Sequence, residues 1–136
     1  MSTENVELAR RILGAWNDRD LEAMRALADP EVEYVNSPTA LEPGTRHGYD
    51  GLTIVLQTQW EMLTDARLEI ERTYDRGEEV IVLFRLSRQM PGSEGRIEAQ
   101  SLLSYKFRDG KLIRVEVLAF GPDEVQEALQ AAGLSQ

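Results

Sequence analysis

The sequence predicts an α+β domain: a strongly bent antiparallel sheet, shaped as a cone, wrapped around three helices of the N-terminal half, with a short C-terminal helix. Three observations predict it. Apolar side chains recur at helical spacing in the first 63 residues, whereas from residue 66 onward they alternate with period two. Within that second half, Asp109-Gly110 joins two alternating runs between Gln100 and Phe120. An Asp-Gly pair so placed is the strongest short-range hairpin signal, because both central turn positions need φ > 0. Helices that come first must therefore pack on one side of the sheet that the later strands build.

Each element has its own signal. Val6, Ala9, Ile12, Leu13 and Trp16 give a helix over 4–18 one apolar face, with Thr3 as its expected N-cap. Asp20 caps a short second helix faced by Leu21, Met24 and Leu27, which ends at Asp29-Pro30 because the residue before proline is pushed out of the α region. Residues 31–36 alternate as a first strand. Ser37 to Tyr49 reads as a long loop, with two prolines, two glycines and two threonines. Asp50-Gly51 opens a third helix that carries Leu52, Leu56, Gln59, Trp60 and Leu63 on one face. Strands are expected at 66–75, 78–90, 95–107 and 111–120, broken by Arg76-Gly77 and by the turn from Pro91 to Gly95. Pro122 suits the first turn of a closing helix, and Gly133-Leu134 reads as a left-handed C-cap with its apolar follower. With no repeat or linker, residues 1–136 form one domain.

Composition narrows the function. Hydrophobic residues make up 42% of the 136 and charged residues 29%, which suits a soluble globular chain with a sound core. There is no cysteine, so thiolate chemistry and disulfides are excluded. One histidine and scattered carboxylates leave nothing with metal-ligand spacing, and no cofactor is expected. Gly48-x-x-Gly51 lacks the glycine spacing of a nucleotide-binding turn. A net charge of −9 with dispersed arginines argues against nucleic acid and anionic membrane as partners. The longest strictly apolar run, Val80 to Phe84, is too short to span a bilayer, and the polar N-terminus has no signal core. The expected location is cytoplasmic.

Three segments carry a family resemblance: Glu42-Pro43-Gly44-Thr45-Arg46-His47-Gly48-Tyr49-Asp50-Gly51-Leu52, Phe107-Arg108-Asp109-Gly110-Lys111-Leu112-Ile113-Arg114, and Glu127 to Leu134. They resemble SnoaL-like proteins of the nuclear-transport-factor-two-like, or ketosteroid-isomerase-like, superfamily. The resemblance implies the cone fold and a sheet-to-sheet homodimer. Its functions range over isomerases, cyclases, dehydratases, epoxide hydrolases and non-catalytic modules. The steroid-isomerase base would fall at Asn36 or Ser37, its tyrosine at Ile12 and its second aspartate at Leu103. The epoxide-hydrolase Asp-Arg-Asp set would fall in Ala99-Gln100-Ser101-Leu102-Leu103. An aromatic and an acidic residue often close the family's last strand, where this chain has Leu118 and Phe120. Both catalytic sets are absent, and the departures favour a less polar cavity.

Strand parity then proposes a lining. If Tyr105 and Phe107 face the helices, so do Ser101 and Leu103. The same alternation turns Val115, Val117 and Ala119 inward, and Phe84, Leu86 and Arg88 on the strand at 78–90. Trp16, Trp60, Tyr34 and Asn36 complete the expected pocket. His47 is the one side chain whose ordinary pKa suits proton transfer near neutral pH, unless it is a solvated loop residue. Arg88 would anchor a carboxylate or enolate at the rim, or else pair with Glu94 or Glu98. The outer face, with Arg85, Ser87, Gln100, Leu102, Ser104, Arg114, Glu116 and Leu118, suits a homodimer interface. The expected function is uptake of a small lipophilic metabolite, with isomerase- or cyclase-type proton transfer through His47 and Arg88. The alternatives are a non-catalytic binding module and a dimeric scaffold filled by its own side chains.

Overall fold

In the computed structural model, which describes residues 3–36, 44–89, 92 and 95–134, four helices accompany one six-stranded curled, unclosed sheet. Helix α1 (Thr3–Asn17) and helix α2 (Leu21–Leu27) are followed by β1 (Ala28–Asn36), β2 (Gly44–His47) and α3 (Gly48–Met62). Four strands then run as β3 (Arg67–Arg76), β4 (Glu79–Gln89), β5 (Arg96–Arg108) and β6 (Lys111–Phe120), before α4 (Pro122–Ala131). This is the α+β cone that the sequence predicts. The spatial order is β2-β1-β6-β5-β4-β3. No helix among the described residues is long and apolar enough to cross a membrane.

Local chemistry sets the boundaries. The Asp20 carboxylate accepts from the Ala23 amide at 3.0 Å and starts α2. Asp109 (φ 52°) and Gly110 (φ 77°) both adopt the left-handed conformation that the tight β5–β6 hairpin requires. At the far end, the Leu134 amide bonds to the Leu129 carbonyl at 2.8 Å across Gly133 (φ 74°), which closes α4 as expected. The Thr3 side chain lies outside the described residues, as do the loop at 37–43 and most of the turn at Pro91–Glu94.

Two features depart from the expectation. Gly44–His47 forms an edge strand antiparallel to β1, inside the segment read as loop. The stretch is polar and short, so it carries no alternation to read. In addition, β1 pairs with β6 in parallel, so the sheet is mixed. Asp29-Pro30 lies inside β1 rather than between elements. There the Asp29 carboxylate accepts from the Glu31 amide at 2.8 Å, and the register with β6 shifts between Ala28 and Glu33.

The core divides into two clusters on opposite faces of the sheet. On the concave side, Ile12, Leu13 and Trp16 of α1 and Leu52, Val55 and Leu56 of α3 pack on Val80, Val82, Phe84, Leu103, Tyr105 and Val115. On the convex side, Val125 and Leu129 of α4 pack on Tyr74, Ile81, Leu83, Leu102 and Ala119. Leu102, expected on an open outer face, is buried beneath α4, and Ser104 is also buried, its hydroxyl donating to Glu79.

Polar ties hold the helices to the cone. The Asn17 side chain pairs with both backbone groups of Leu68, as a neighbouring strand would (2.9 and 2.8 Å). Arg19 (φ 56°) donates to the carbonyls of Leu63, Thr64 and Ala66 and lies over the Trp16 ring at 4.5 Å. That fork gathers the carbonyls left unsatisfied where α3 ends.

Candidate functional site

Between the concave sheet and the helices lies a cavity of about 170 Å³. It is larger than the roughly 150 Å³ apolar cavity that suffices to take up benzene in an engineered protein. Its wall includes Trp16, Tyr34, Phe84, Leu86, Ser101, Leu103, Tyr105, Val115 and Val117 from the expected set. It also includes Ile12, Met24, Leu52, Leu56, Gln59, Leu63, Leu68 and Phe120. Phe120, half exposed, is the most open of these residues, whereas Leu52 and Leu56 are sealed.

Three expected lining residues stand elsewhere. Ala119 turns to the convex cluster because β6 carries a bulge: Leu102 pairs with Ala119 but Leu103 with Val117, leaving Leu118 as an extra residue. From there parity reverses, so Phe120 faces the cavity instead. Trp60 lies behind Trp16, ring centroids 6.5 Å apart, and its indole donates to the Trp16 carbonyl at 3.1 Å. Asn36 ends β1 opposite Gly44, outside the wall.

The two expected catalytic residues are not brought together. His47 pairs in register with Glu33, whose neighbours Val32 and Tyr34 point inward, so both side chains lie on the outer face. The imidazole is 71% exposed, with Nδ1 3.4 Å from a Glu33 carboxylate oxygen. It therefore does not face the cavity in which its proton-transfer role was expected. Arg88 does share the Phe84 and Leu86 face of β4 but lies beyond the wall. Its Nε is buried without a hydrogen-bond partner, and Glu98 instead approaches Arg85 at 3.9 Å.

A polar relay crosses the apolar wall. The Trp16 indole donates to Gln59 Oε1 at 2.9 Å, and Gln59 Nε2 donates to the Tyr34 hydroxyl at 2.9 Å. An indole N–H can only donate, so the amide orientation is fixed and Tyr34 must be the acceptor. Burial pushes the Tyr34 phenol above its ordinary pKa, although the Gln59 bond opposes the shift. Tyr105 is pushed up as well, by burial and by the neighbouring Tyr34 phenol. Ser101 Oγ donates to the Ala119 carbonyl at 2.9 Å. No described residue in the wall is a histidine, carboxylate, lysine or arginine. Among the described residues, no three His, Cys, Asp or Glu side chains cluster to hold a metal.

Sequence reasoning missed Gln59 as a wall residue. Gln59 is a polar side chain within the apolar stripe Leu52-Leu56-Leu63, which was the available signal. Tyr105 was already turned toward the helices by parity.

A curled sheet closed over three helices, with a cavity inside, defines the nuclear-transport-factor-two-like class. A family model for the SnoaL-like domain matches residues 9–115, and the chain belongs to that family. No curated protein matches the sequence. Solved structures share the fold at low identity. TerC, co-crystallised with polyporic acid, is 23% identical over 94% of this chain and 99% of its own, with a TM-score of 0.74. A protein of Jannaschia sp. CCS1, provisionally named a SnoaL-like polyketide cyclase, is 18% identical over 95% and 93%, with a TM-score of 0.75. A Catenulispora acidiphila protein with a ketosteroid-isomerase-like fold, in complex with trimethylamine, is 15% identical over 95% and 94%, with a TM-score of 0.71.

Proposed function

We propose that this chain is a binding module that takes up a small, uncharged lipophilic molecule in the concave cavity. One observation carries the reading: among the described residues the wall is apolar apart from Trp16, Tyr34, Gln59, Ser101 and Tyr105, and it presents no charged side chain. Binding there removes apolar surface from water, at about 25 cal/mol per Å². A charged ligand would lose its hydration with nothing opposite to replace it.

A second reading, isomerase- or cyclase-type chemistry without a cofactor, draws support from the name of the Jannaschia relative. Proton transfer needs a group that titrates near the working pH. Phenols held above their ordinary range do not supply a base, and His47 faces away from the cavity. In that reading Arg88 is the group left at the rim to hold an anion. Binding without turnover is the better supported of the two.

Titration with ethylbenzene, followed by NMR of the protein, tests the proposal. Saturable shifts confined to wall residues are expected in the wild type, with none in a folded Leu103→Trp variant whose indole fills the void. Absence of binding by the wild type would favour the filled-scaffold alternative. Binding retained by the filled variant would move the site elsewhere.

A further inference from the structure

The cavity wall holds two phenols whose protons have no acceptor among the described residues. Tyr34 and Tyr105 are buried, at 8% and 4% exposure. Both pair across the sheet with Val115, Tyr34 from β1 and Tyr105 from β5. They therefore stand in one cross-strand row, two strand spacings or about 10 Å apart at the backbone. The sheet is concave on this face, so side chains rising from the two strands converge over Val115.

Their hydrogen bonding is incomplete in a definite sense. Tyr34 accepts from Gln59, which leaves its own proton to donate, and no acceptor for that proton exists among the described residues. The Tyr105 hydroxyl has no hydrogen-bond partner among the described residues. Both tyrosines line the same void, where a ligand's acceptor would meet two donors that the described residues leave unmatched. Trp16 and Gln59 polarise Tyr34 further as a donor, because each bond in such a chain strengthens the next.

We propose that Tyr34 and Tyr105 form a donor pair that selects ligands carrying a neutral carbonyl oxygen, held with that oxygen over Val115. The inference rests on the binding reading above and names the ligand class it takes. A carbonyl oxygen has two lone pairs, one for each phenol, and carries no charge for the apolar wall to desolvate. Both phenols stay protonated across the physiological range, so they donate at every pH the protein meets. A hydrocarbon of the same shape fits the void but leaves both donors unmatched. A carboxylate finds two donors but no cation.

The test compares acetophenone with ethylbenzene, which are nearly matched in shape and differ in the acceptor. Tyr105→Phe and Tyr34→Phe should each lower the ratio of acetophenone to ethylbenzene affinity roughly threefold to tenfold, in line with a hydrogen bond lost to a neutral group. The carbonyl stretch of isotope-labelled acetophenone bound to the wild type should lie below its frequency in cyclohexane, a measurement that needs no variant to fold. A band at the cyclohexane frequency, or an equal affinity ratio in wild type and both variants, would overturn the donor pair while ethylbenzene binding upholds the cavity. Failure of both compounds to bind the wild type would sink the binding reading itself.

Discussion

Tyr34 and Tyr105 show how one environment sets both a chemistry and a pH response. Burial disfavours the phenolate, so both groups keep their protons beyond the ordinary value near 10. The unfolded chain releases those protons at the ordinary value. The stabilisation is therefore fully present below about pH 10 and is lost as the pH climbs from there toward the folded-state values. Each phenol contributes a slope of up to roughly 1.4 kcal/mol per pH unit in that window. Urea midpoints measured between pH 8 and pH 11 should fall steeply for the wild type. The Tyr34→Phe, Tyr105→Phe double variant should fall less. Parallel declines would show that the alkaline loss arises elsewhere.

Among elements, α4 and the hairpin strands decide which face each side chain serves. Leu129 is 1% exposed in the convex cluster, and its replacement by alanine should cost about 2–5 kcal/mol in a urea titration. Because the sheet separates that cluster from the cavity, ethylbenzene affinity of the folded Leu129→Ala variant should match the wild type. A parallel loss of affinity would reveal coupling through the sheet. Alternation was enough to read the strands and most of the wall, from Phe84 and Leu86 through Ser101 and Leu103 to Val117. It failed at Ala119 because Leu118 is an inserted residue, and an apolar run of Val-Leu-Ala-Phe looks the same with or without a bulge. Residues Gly44–His47 escaped notice for a different reason. Their ladder with β1 is a backbone event, and four exposed or half-exposed side chains leave no pattern to mark it. The place of His47 followed from that omission, since only the pairing with Glu33 shows which way it faces.

At the scale of the whole molecule, the open question is whether two copies associate. The convex face leaves Leu118 exposed beside Arg85, Gln100 and Glu116, although α4 covers its centre at Leu102. Family resemblance favours a sheet-to-sheet pair, and light scattering after size exclusion at micromolar concentration should report twice the chain mass. A monomer under those conditions would remove the dimer. The cone itself was legible from element order, because helices that precede a run of hairpin strands have one face on which to pack. The mixed character of the sheet was not, since the β1–β6 ladder joins segments with five elements between them.

That ladder also orders events in time. A hairpin such as β5–β6 closes between neighbours, but β1 has to wait for a partner that is the last strand made. Contacts so distant along the chain are slow to form, because the entropy of closing the intervening loop is lost before any pairing compensates for it. Tyr34 and Tyr105 belong to opposite ends of this delay. During synthesis the first waits on a strand paired only with β2 until the second has been added and β6 has docked between them. The cavity is thus the final product of folding, and a chain that takes up its ligand has already completed its sheet.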